Sequence, residues 1–389
     1  MQLTFDAVLE PDPGAKWQAL FERAWPGWRA WYLARGGDPE PRLDVAERAL
    51  RQHMPELERP WRRLVALAGG GELAANFLTF WCPPPYLVHC SQAVLLHDDG
   101  PLLVRNYDLD PKLSESTVLC SSWTGRKVIA TMEGIAGAAD GINDAGLAVS
   151  LTFGGRRVTG PGFGIPLIIR YLLEVCDRTA DAVAVLRRVP SHMSYNVTIV
   201  DRASDVATVF VAPDRPAIVT RRRVTTNHQQ RVEWPEQAQF SRTVEREAHL
   251  LKLLEERNLT PPQLVRTFLA RPLFSTNYAG GFGTVYTAAY RPAEAGMTMH
   301  WPGQQPWELR CGDFREGQRE VCYRNGTIGQ RAAQPSRRAM EPAVAALVSS
   351  GLPEPFITAL ADGLRRPGSA AWERLGQVWS ESRHVCLRD

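Results

Sequence analysis

A cysteine, an arginine and an aspartate lie close together in the stretch YLVHCSQAVLLHDDGPLLVRNYD, residues 86–108. Cys90 opens one apolar run, and Arg105 and Asp108 close a second run after an Asp-Asp-Gly turn. The thiolate is the nucleophilic form of cysteine, and a neighbouring guanidinium favours it. A carboxylate can orient an amine or receive a proton. These three residue types together are suited to nucleophilic attack on a carbonyl carbon.

The two apolar runs predict a β-hairpin that brings the three side chains into one region. If the turn is centred near Asp99, the numbers of paired residues sum to about 198, give or take a residue or two for turn type. Cys90 is then expected opposite Asp108, with Arg105 a few residues along the ladder. Facing side chains have Cβ atoms roughly 5 Å apart. The hairpin alone is equally typical of a strand-end cysteine beside a surface ion pair.

Further polar motifs follow the hairpin in the chain. They are DGINDAGL at 140–147, SLTF at 150–153, YNVTIVD at 195–201, TTNH at 225–228 and FSRTVER at 240–246. Each motif is weak by itself, because an asparagine in a turn is usually only a turn residue. Their order and spacing after Cys90 are what carry the information.

With these motifs the sequence resembles the cysteine N-terminal-nucleophile (Ntn) hydrolases, specifically the penicillin acyltransferase-like branch (peptidase C45). Choloylglycine hydrolases are more distant relatives. The likeness covers about residues 82–300. It rests on Cys90 with Arg-Asn-x-Asp, the Asp-Gly-x-Asn-x-x-Gly-Leu segment, Thr-Asn-His, and the Ser/Arg-led helix after it. The resemblance implies an α+β fold, a four-layer αββα sandwich.

The resemblance also implies that the chain cuts itself between His89 and Cys90. The thiol attacks the preceding carbonyl, an N-to-S acyl shift gives a thioester, and water hydrolyses it. The freed α-amine, with a pKa of about 8 in model peptides, then serves as the base for its own thiol. Residues 1–89 would stay packed, as a pro-segment or α chain, against a β chain of residues 90–389. The αββα core would cover about 90–310, with a tail over 311–389.

Four residues match the family's catalytic positions well. Cys90 matches the nucleophile, Arg105 the arginine beside the thiol, and Asp108 the carboxylate near the new amine. Asn227 matches the asparagine that helps to bind the oxyanion. A preorganised donor of that kind contributes roughly 3 kcal/mol to the transition state.

Other positions match with more than one interpretation. The asparagine of bile-salt hydrolases that contacts the oxyanion or amine falls at Thr152, and Asn143 and Tyr107 are further candidates for oxyanion or substrate binding. The later arginine of the family matches Arg242, by its Ser-Arg pair, or Arg246, by its spacing to the leucines that follow. Arg242 is slightly preferred.

The residue before the nucleophile departs from the family pattern. It is commonly glycine in this branch, because the scissile peptide needs a strained backbone, and here it is His89. The substitution predicts one of three outcomes: slower cleavage, a proton transfer assisted by His89, or a chain that stays uncut.

The rest of the chain alternates between helical and β patterns. Apolar residues at three- and four-residue spacing predict helices over about 14–70, with Pro26 as a kink or break. Short β-type runs begin after Cys82 and alternate with two pairs of helices, at about 164–188 and 241–269. This order predicts antiparallel sheets covered by helices behind an N-terminal helical segment. A loop over 330–340 and a short C-terminal helix are also expected.

Composition excludes several other classes. A net charge of +3 and a lone Arg221–Arg223 cluster argue against nucleic-acid binding. No apolar stretch is long enough to span a bilayer, and the N-terminus lacks the features of a signal peptide. The seven cysteines are scattered, without a CxxC pair, and no HExxH motif occurs. We therefore expect no metal, cofactor, disulfide or membrane partner, and a cytoplasmic location.

The leading hypothesis is a self-processing amidase or acyltransferase that acts on a linear amide C–N bond, non-peptide or acyl-amino, through a Cys90 thioester. Its partners would be a small acylated amide, an amine or acyl-CoA co-substrate, and its own two fragments as an αβ heterodimer, which could form a higher homo-oligomer. One alternative is an uncleaved or inactive scaffold of the same fold. Another is a Cys-His hydrolase that pairs Cys90 with His89, His97 or His228.

Overall fold

The computed structural model describes residues 1–37, 43–278 and 282–323. The loop expected over 330–340, the expected C-terminal helix and Cys386 lie outside the described residues. Cys90, Cys120, Cys176, Cys311 and Cys322 carry free thiols. No helix in those ranges has the length and apolar character needed to cross a membrane.

The described strands and helices follow one another along the chain as two lists. The strands are β1 (Gln2–Leu9), β2 (His89–His97), β3 (Gly100–Leu109), β4 (Thr117–Ser121), β5 (Val128–Glu133), β6 (Gly137–Asn143), β7 (Ala148–Phe153), β8 (Tyr195–Val200), β9 (Val206–Ala212), β10 (Arg215–Thr220), β11 (Val224–Thr225), β12 (Thr276–Asn277), β13 (Phe282–Arg291), β14 (Gly296–His300), β15 (Trp307–Arg310) and β16 (Gly317–Cys322). The helices are α1 (Ala15–Ala34), α2 (Leu43–His53), α3 (Glu58–Leu67), α4 (Glu72–Thr79), α5 (Ile165–Val175), α6 (Thr179–Arg188), α7 (Pro235–Ser241), α8 (Thr243–Leu254) and α9 (Pro261–Phe268). Short 3₁₀ turns lie at Pro55–Leu57, Pro111–Leu113 and Pro292–Glu294.

The strands form two sheets. The nine-stranded sheet has the order β10-β9-β8-β7-β6-β5-β4-β1-β16, and the seven-stranded sheet has the order β11-β2-β3-β13-β14-β15, with β12 beside β13. Neighbouring strands are antiparallel except for β1 and β4, which run parallel. This confirms the antiparallel sheets that the sequence predicts.

The two sheets pack face to face, and helices cover both outer faces. Helices α5 and α6 lie on the nine-stranded sheet, against β6, β7 and β9, whereas α8 and α9 lie on the seven-stranded sheet, against β2 and β3. Between the sheets, β2 contacts β7 and β14 contacts β6. The α+β fold is therefore the predicted four-layer αββα sandwich.

The N-terminal segment is helical over α1 to α3, as expected, but the sequence predicted neither helix α4 nor the strand with which the segment begins. Strand β1 lies between β4 and β16 in the nine-stranded sheet. Helix α1 continues through Pro26 instead of breaking there. Its residue Trp17 is fully buried, and the indole Nε1 donates to the carbonyl of Ile135 at 3.0 Å. The segment thus shares both a sheet and a core with the rest of the chain.

Replacing Trp17 by alanine is expected to lower the free energy of unfolding by about 3–5 kcal/mol, because it leaves a large cavity in the core. The half-buried Trp307 in β15 is the matched control, and its loss should cost clearly less. Guanidinium unfolding in a Cys90→Ala background, which lacks the thiol expected to cut the chain, measures both. Equal losses at the two positions would contradict the shared core.

Candidate active site

The β2–β3 hairpin forms with a register one residue from the expected one. Asp98 and Asp99 make a two-residue turn between the paired residues His97 and Gly100. Cys90 consequently lies opposite Tyr107, not opposite Asp108 as predicted. A two-residue turn centred between the aspartates, and not on Asp99, accounts for the difference.

The one-residue shift matters because successive residues of a strand point to opposite faces. Arg105 and Tyr107 share the face of Cys90, towards the nine-stranded sheet. The side chain of Arg105 reaches Asp140 of that sheet. Asp108 and its neighbour Asn106 share the other face, where Asn106 Nδ2 donates to the carbonyl of Phe268 at the end of α9. The thiol and the carboxylate thus lie on opposite sides of the hairpin.

The thiol of Cys90 is fully buried and contacts one guanidinium. Nη2 of Arg105 lies 3.1 Å from Sγ. Burial raises the pKa of the Cys90 thiol to about 12, and the charges of Arg105 and Arg246 offset only part of this effect. In the continuous chain the sulfur therefore carries its proton at neutral pH.

Arg105 is held by a buried carboxylate that the sequence analysis did not single out. Nη1 of Arg105 donates to the carbonyl of Ala139 at 2.9 Å and to the carboxylate of Asp140. Asp140 also accepts hydrogen bonds from the hydroxyls of Tyr286, at 2.8 Å, and Tyr290. Asp140 is the first residue of the DGINDAGL motif, so the sequence pointed to this segment. No local pattern, however, indicates that Asp140 pairs with Arg105.

The backbone of Cys90 is held by two side chains. Its N–H donates to Oδ1 of Asn227 at 3.1 Å, and its carbonyl accepts from Nη1 of Arg246 at 2.6 Å. Nη2 of Arg246 also donates to Oδ1 of Asn227 at 2.6 Å, while Nδ2 of Asn227 donates to the carbonyl of Val88 at 3.3 Å. Asn227 thus contacts the backbone on both sides of His89.

Of the two candidate arginines, the structure brings Arg246 to Cys90 and leaves Arg242 outside. Arg242 is exposed, with φ of 52°, and its guanidinium pairs with Glu245 three residues on. Arg246 lies one turn further along α8, buried against Ser91, whose hydroxyl accepts from Nη1 at 2.6 Å. This placement favours Arg246 over the slightly preferred Arg242, whose left-handed backbone accompanies an exposed side chain.

Asp108 lies opposite His89 in the register, directly beside the predicted cleavage position. Its carboxylate accepts from the hydroxyl of Thr284 at 2.6 Å. Burial raises the pKa of Asp108 to about 6, although Arg246 and the Thr284 hydroxyl oppose the shift.

His89 occupies an aromatic slot. Its ring stacks on Phe282 with a centroid distance of 4.3 Å and meets Phe240 edge-on at 5.3 Å. Burial, assisted by the charge of Arg246, lowers the pKa of His89 to about 3. The imidazole is therefore neutral and only weakly basic at neutral pH, which does not favour its use in proton transfer.

The side-chain hydrogen bonds of Thr152 and Asn143 go to groups other than Cys90. Oγ1 of Thr152 donates to the carbonyl of Thr226 at 2.7 Å, so it supports the segment that carries Asn227. Nδ2 of Asn143 donates to the carbonyls of Leu173 and Cys176 at 3.0 and 2.7 Å. Asn143 thus faces α5, on the far side of the nine-stranded sheet, and the structure does not bring it together with Cys90.

Tyr107, the cross-strand neighbour of Cys90, leads to a second buried carboxyl that the sequence analysis missed. Its hydroxyl donates to Glu133 at 2.7 Å, and the hydroxyl of Tyr86 donates to the same carboxyl group. Burial and the neighbouring Glu115 raise the pKa of Glu133 to about 8. The available signal was a glutamate at the end of the fully buried strand β5.

Beside this cluster lies a narrow, almost wholly apolar pocket where the N-terminal segment meets the sandwich, which we call the aromatic pocket. Its lining includes Trp28, Trp31, Phe77, Phe80 and Tyr86 from the N-terminal segment and Glu133, Ile165, His192, Met193 and Tyr195 from the sandwich. Tyr86 and Glu133 therefore belong both to the pocket and to the hydrogen-bonded cluster next to Cys90.

Residues 95–306, more than half of the chain, match the family model of acyl-coenzyme A:6-aminopenicillanic acid acyl-transferase. The chain belongs to this family. That assignment confirms the predicted penicillin acyltransferase-like relationship and makes the protein an Ntn-type amide hydrolase or acyltransferase. The match begins five residues after Cys90 and includes Arg105, Asp108, Asn227 and Arg246.

Solved structures resemble this acyltransferase-family chain only remotely. A cysteine-to-alanine mutant of conjugated bile acid hydrolase from Clostridium perfringens is 11% identical, covers 63% of this chain and 100% of its own, and has a TM-score of 0.42. Penicillin V acylase from Agrobacterium tumefaciens is 13% identical, covers 57% of this chain and 86% of its own, and has a TM-score of 0.38. The N-acylethanolamine-hydrolyzing acid amidase ortholog of Caenorhabditis elegans is 15% identical, covers 57% of this chain and 100% of its own, and has a TM-score of 0.38. No curated protein matches.

The raised pKa of Glu133 predicts how stability depends on pH. The folded chain keeps this proton up to about pH 8, whereas the unfolded chain releases it near the ordinary value of 4.5, so stability falls as pH rises between these values. Glu133→Gln should remove up to roughly 1.4 kcal/mol per pH unit of that fall. Denaturant unfolding at pH 5, 6.5 and 8 in a Cys90→Ala background measures it.

Glu245→Gln, on the exposed surface of α8, is the control and should leave the wild-type pH dependence unchanged. Asp108, Glu115 and Glu174 also have raised pKa values, so part of the slope should remain in Glu133→Gln. A Glu133→Gln profile that parallels the control would contradict the buried, protonated state.

Proposed function

We propose that the protein is a self-processing N-terminal-cysteine amidase or acyltransferase. It acts on the C–N bond of a linear amide, non-peptide or acyl-amino, through a thioester on Cys90. The observation that carries this proposal is the 3.1 Å contact between Nη2 of Arg105 and Sγ of Cys90, buried beside Asn227 and Arg246. A guanidinium at that distance stabilises the thiolate that forms as the sulfur attacks.

Self-processing is the first reaction that this arrangement supports. Sγ of Cys90 attacks the carbonyl carbon of His89, the C–N bond breaks, and the thiol proton goes to the departing amine. Water then hydrolyses the thioester, which leaves a carboxylate on His89 and a free thiol and amine on Cys90. Asn227 and Arg246 hold the Cys90 peptide during these steps, and Asp108 lies opposite His89.

Turnover uses the same sulfur with an external amide. The new α-amine, whose ordinary pKa is near 8, takes the thiol proton, while Arg105 stabilises the developing thiolate. Nδ2 of Asn227, which donates to the carbonyl of Val88 in the continuous chain, is the proposed donor to the oxyanion. The thioester is then resolved by water or by an amine. The two outcomes differ only in which acceptor reaches the acyl-enzyme.

The aromatic pocket supports an apolar acyl group for the substrate. Tyr107 lies opposite Cys90 in the ladder, and its hydroxyl binds Glu133 at the pocket. Seven of the lining residues come from the N-terminal segment, so residues 1–89 would contribute to the substrate site after cleavage. Strand β1 lies in the interior of the nine-stranded sheet, so its hydrogen bonds to β4 and β16 would keep the fragment bound after cleavage.

A Cys-His hydrolase has less support. His228 bonds to Thr243 and Glu247, and His97 to Asp99, so neither ring is directed at the sulfur. His89 is weakly basic in its aromatic slot. No contact within the described ranges favours this alternative.

The test is the hydrolysis of phenylacetyl p-nitroanilide and octanoyl p-nitroanilide, measured as the release of p-nitroaniline. Cys90→Ala should lower kcat/KM at least about a thousandfold, because removing a nucleophile abolishes the covalent route. Cys120→Ala, which removes a buried thiol from β4, is the matched control and should stay within about twofold of wild type. Equal activity in wild type and Cys90→Ala would contradict the proposed function.

A further inference from the structure

We propose that Thr243, backed by His228 and Glu247, is a positioning residue that holds Asn227 and Arg246 around the Cys90 peptide. The inference rests on the proposed function and deepens it, because it gives the histidine of the Thr-Asn-His motif a role in positioning Asn227. None of these three side chains touches the sulfur.

The hydroxyl of Thr243 is the direct support of Asn227. The backbone N–H of Asn227 donates to Oγ1 of Thr243 at 2.7 Å, and Oγ1 of Thr243 donates to Oγ1 of Thr226 at the same distance. Thr226 returns a hydrogen bond to the carbonyl of Thr243 at 2.9 Å. Thr226, Asn227 and Thr243 are completely buried, so water cannot replace these bonds.

His228 and Glu247 fix the hydroxyl from behind. Nδ1 of His228 lies 2.9 Å from Oγ1 of Thr243, and Nε2 lies 3.1 Å from the carboxylate of Glu247. The two ring nitrogens of His228 thus lie between the Thr243 hydroxyl and the Glu247 carboxylate, which fixes the orientation of the imidazole. Arg222 adds a further charge, 3.5 Å from Glu247.

The same threonine links two elements of the site. Thr243 is the first residue of α8, and Arg246 follows three residues later, on the same side of the helix. Nη2 of Arg246 reaches Oδ1 of Asn227 at 2.6 Å. The Asn227 segment is thus joined to α8 through its backbone at Thr243 and through its side chain at Arg246.

On the opposite side, the nine-stranded sheet completes the support. Nδ2 of Asn196 donates to the carbonyls of Thr226 and His228, at 3.0 and 2.9 Å, and Thr152 donates to the first of these. Asn227 is therefore held between a fixed sheet and the Thr243 hydroxyl. Loss of that hydroxyl leaves the Asn227 N–H buried without a hydrogen-bond partner. The Asn227 backbone can then shift, and its side chain moves away from Cys90.

Thr243→Val removes the hydroxyl and keeps the shape of the side chain. With phenylacetyl p-nitroanilide we expect kcat to fall roughly tenfold to a hundredfold, because small displacements of a catalytic group are costly, with KM within about twofold. Thr243→Ser restores the hydroxyl and should recover kcat to within about threefold of wild type. A purely structural role would not produce this separation of kcat from KM.

Two matched controls separate positioning from folding. Thr179 is the buried first residue of α6, and its hydroxyl donates to the carbonyl of Asp205 at 2.8 Å, so Thr179→Val imitates the lost hydrogen bond far from Cys90. It should lower Tm without changing kcat. In α8, Glu247→Ala should lower kcat, but by less than Thr243→Val does. Glu245→Ala, on the exposed surface of the same helix, should leave kcat unchanged.

The results distinguish this inference from the proposed function. A wild-type enzyme without Cys90-dependent turnover overturns both. An active wild type in which Thr243→Val loses no more kcat than Thr179→Val, or in which Thr243→Ser stays as low as Thr243→Val, overturns only the positioning role of Thr243.

Discussion

The buried ion pair between Arg105 and Asp140 is the interaction on which the centre of the molecule depends. Both side chains are fully inaccessible to solvent, and a charge buried in this way must be paired and hydrogen-bonded to be tolerated. Asp140 meets that need from one sheet, and Tyr286 and Tyr290 from the other add hydrogen bonds to it. The pair therefore joins the two sheets at the point where Arg105 contacts Cys90.

Strand β2 then separates two environments. The face that carries Cys90 looks into the space between the sheets, towards Arg105, Tyr107 and the aromatic pocket. The other face looks towards the helical layer, where His89 lies in its aromatic slot. The backbone between these faces is held by Asn227 and Arg246. The thiol, a guanidinium beside it and a peptide bond held by two side chains thus meet at one residue.

The sequence predicts much of this arrangement because hairpins and amphipathic helices are local. The β2–β3 hairpin needed only a turn and two apolar runs, and its register was one residue from the observed one. Asp140 and Glu133 escaped prediction because their partners lie in other strands, at sequence distances that no local pattern reveals. The position of β1 depends on pairing with β4 and β16, and the choice of Arg246 over Arg242 depends on a left-handed turn.

The central claim is that Cys90 attacks the peptide bond before it and becomes the first residue of a mature chain. Intact mass spectrometry of the denatured wild-type protein tests this most directly, with Cys90→Ala as the reference. The account predicts two wild-type chains, the larger beginning at Cys90 and the smaller ending at His89, and a single chain for Cys90→Ala. A wild-type protein that remains one chain, or is cut in the same way without the thiol, would contradict it.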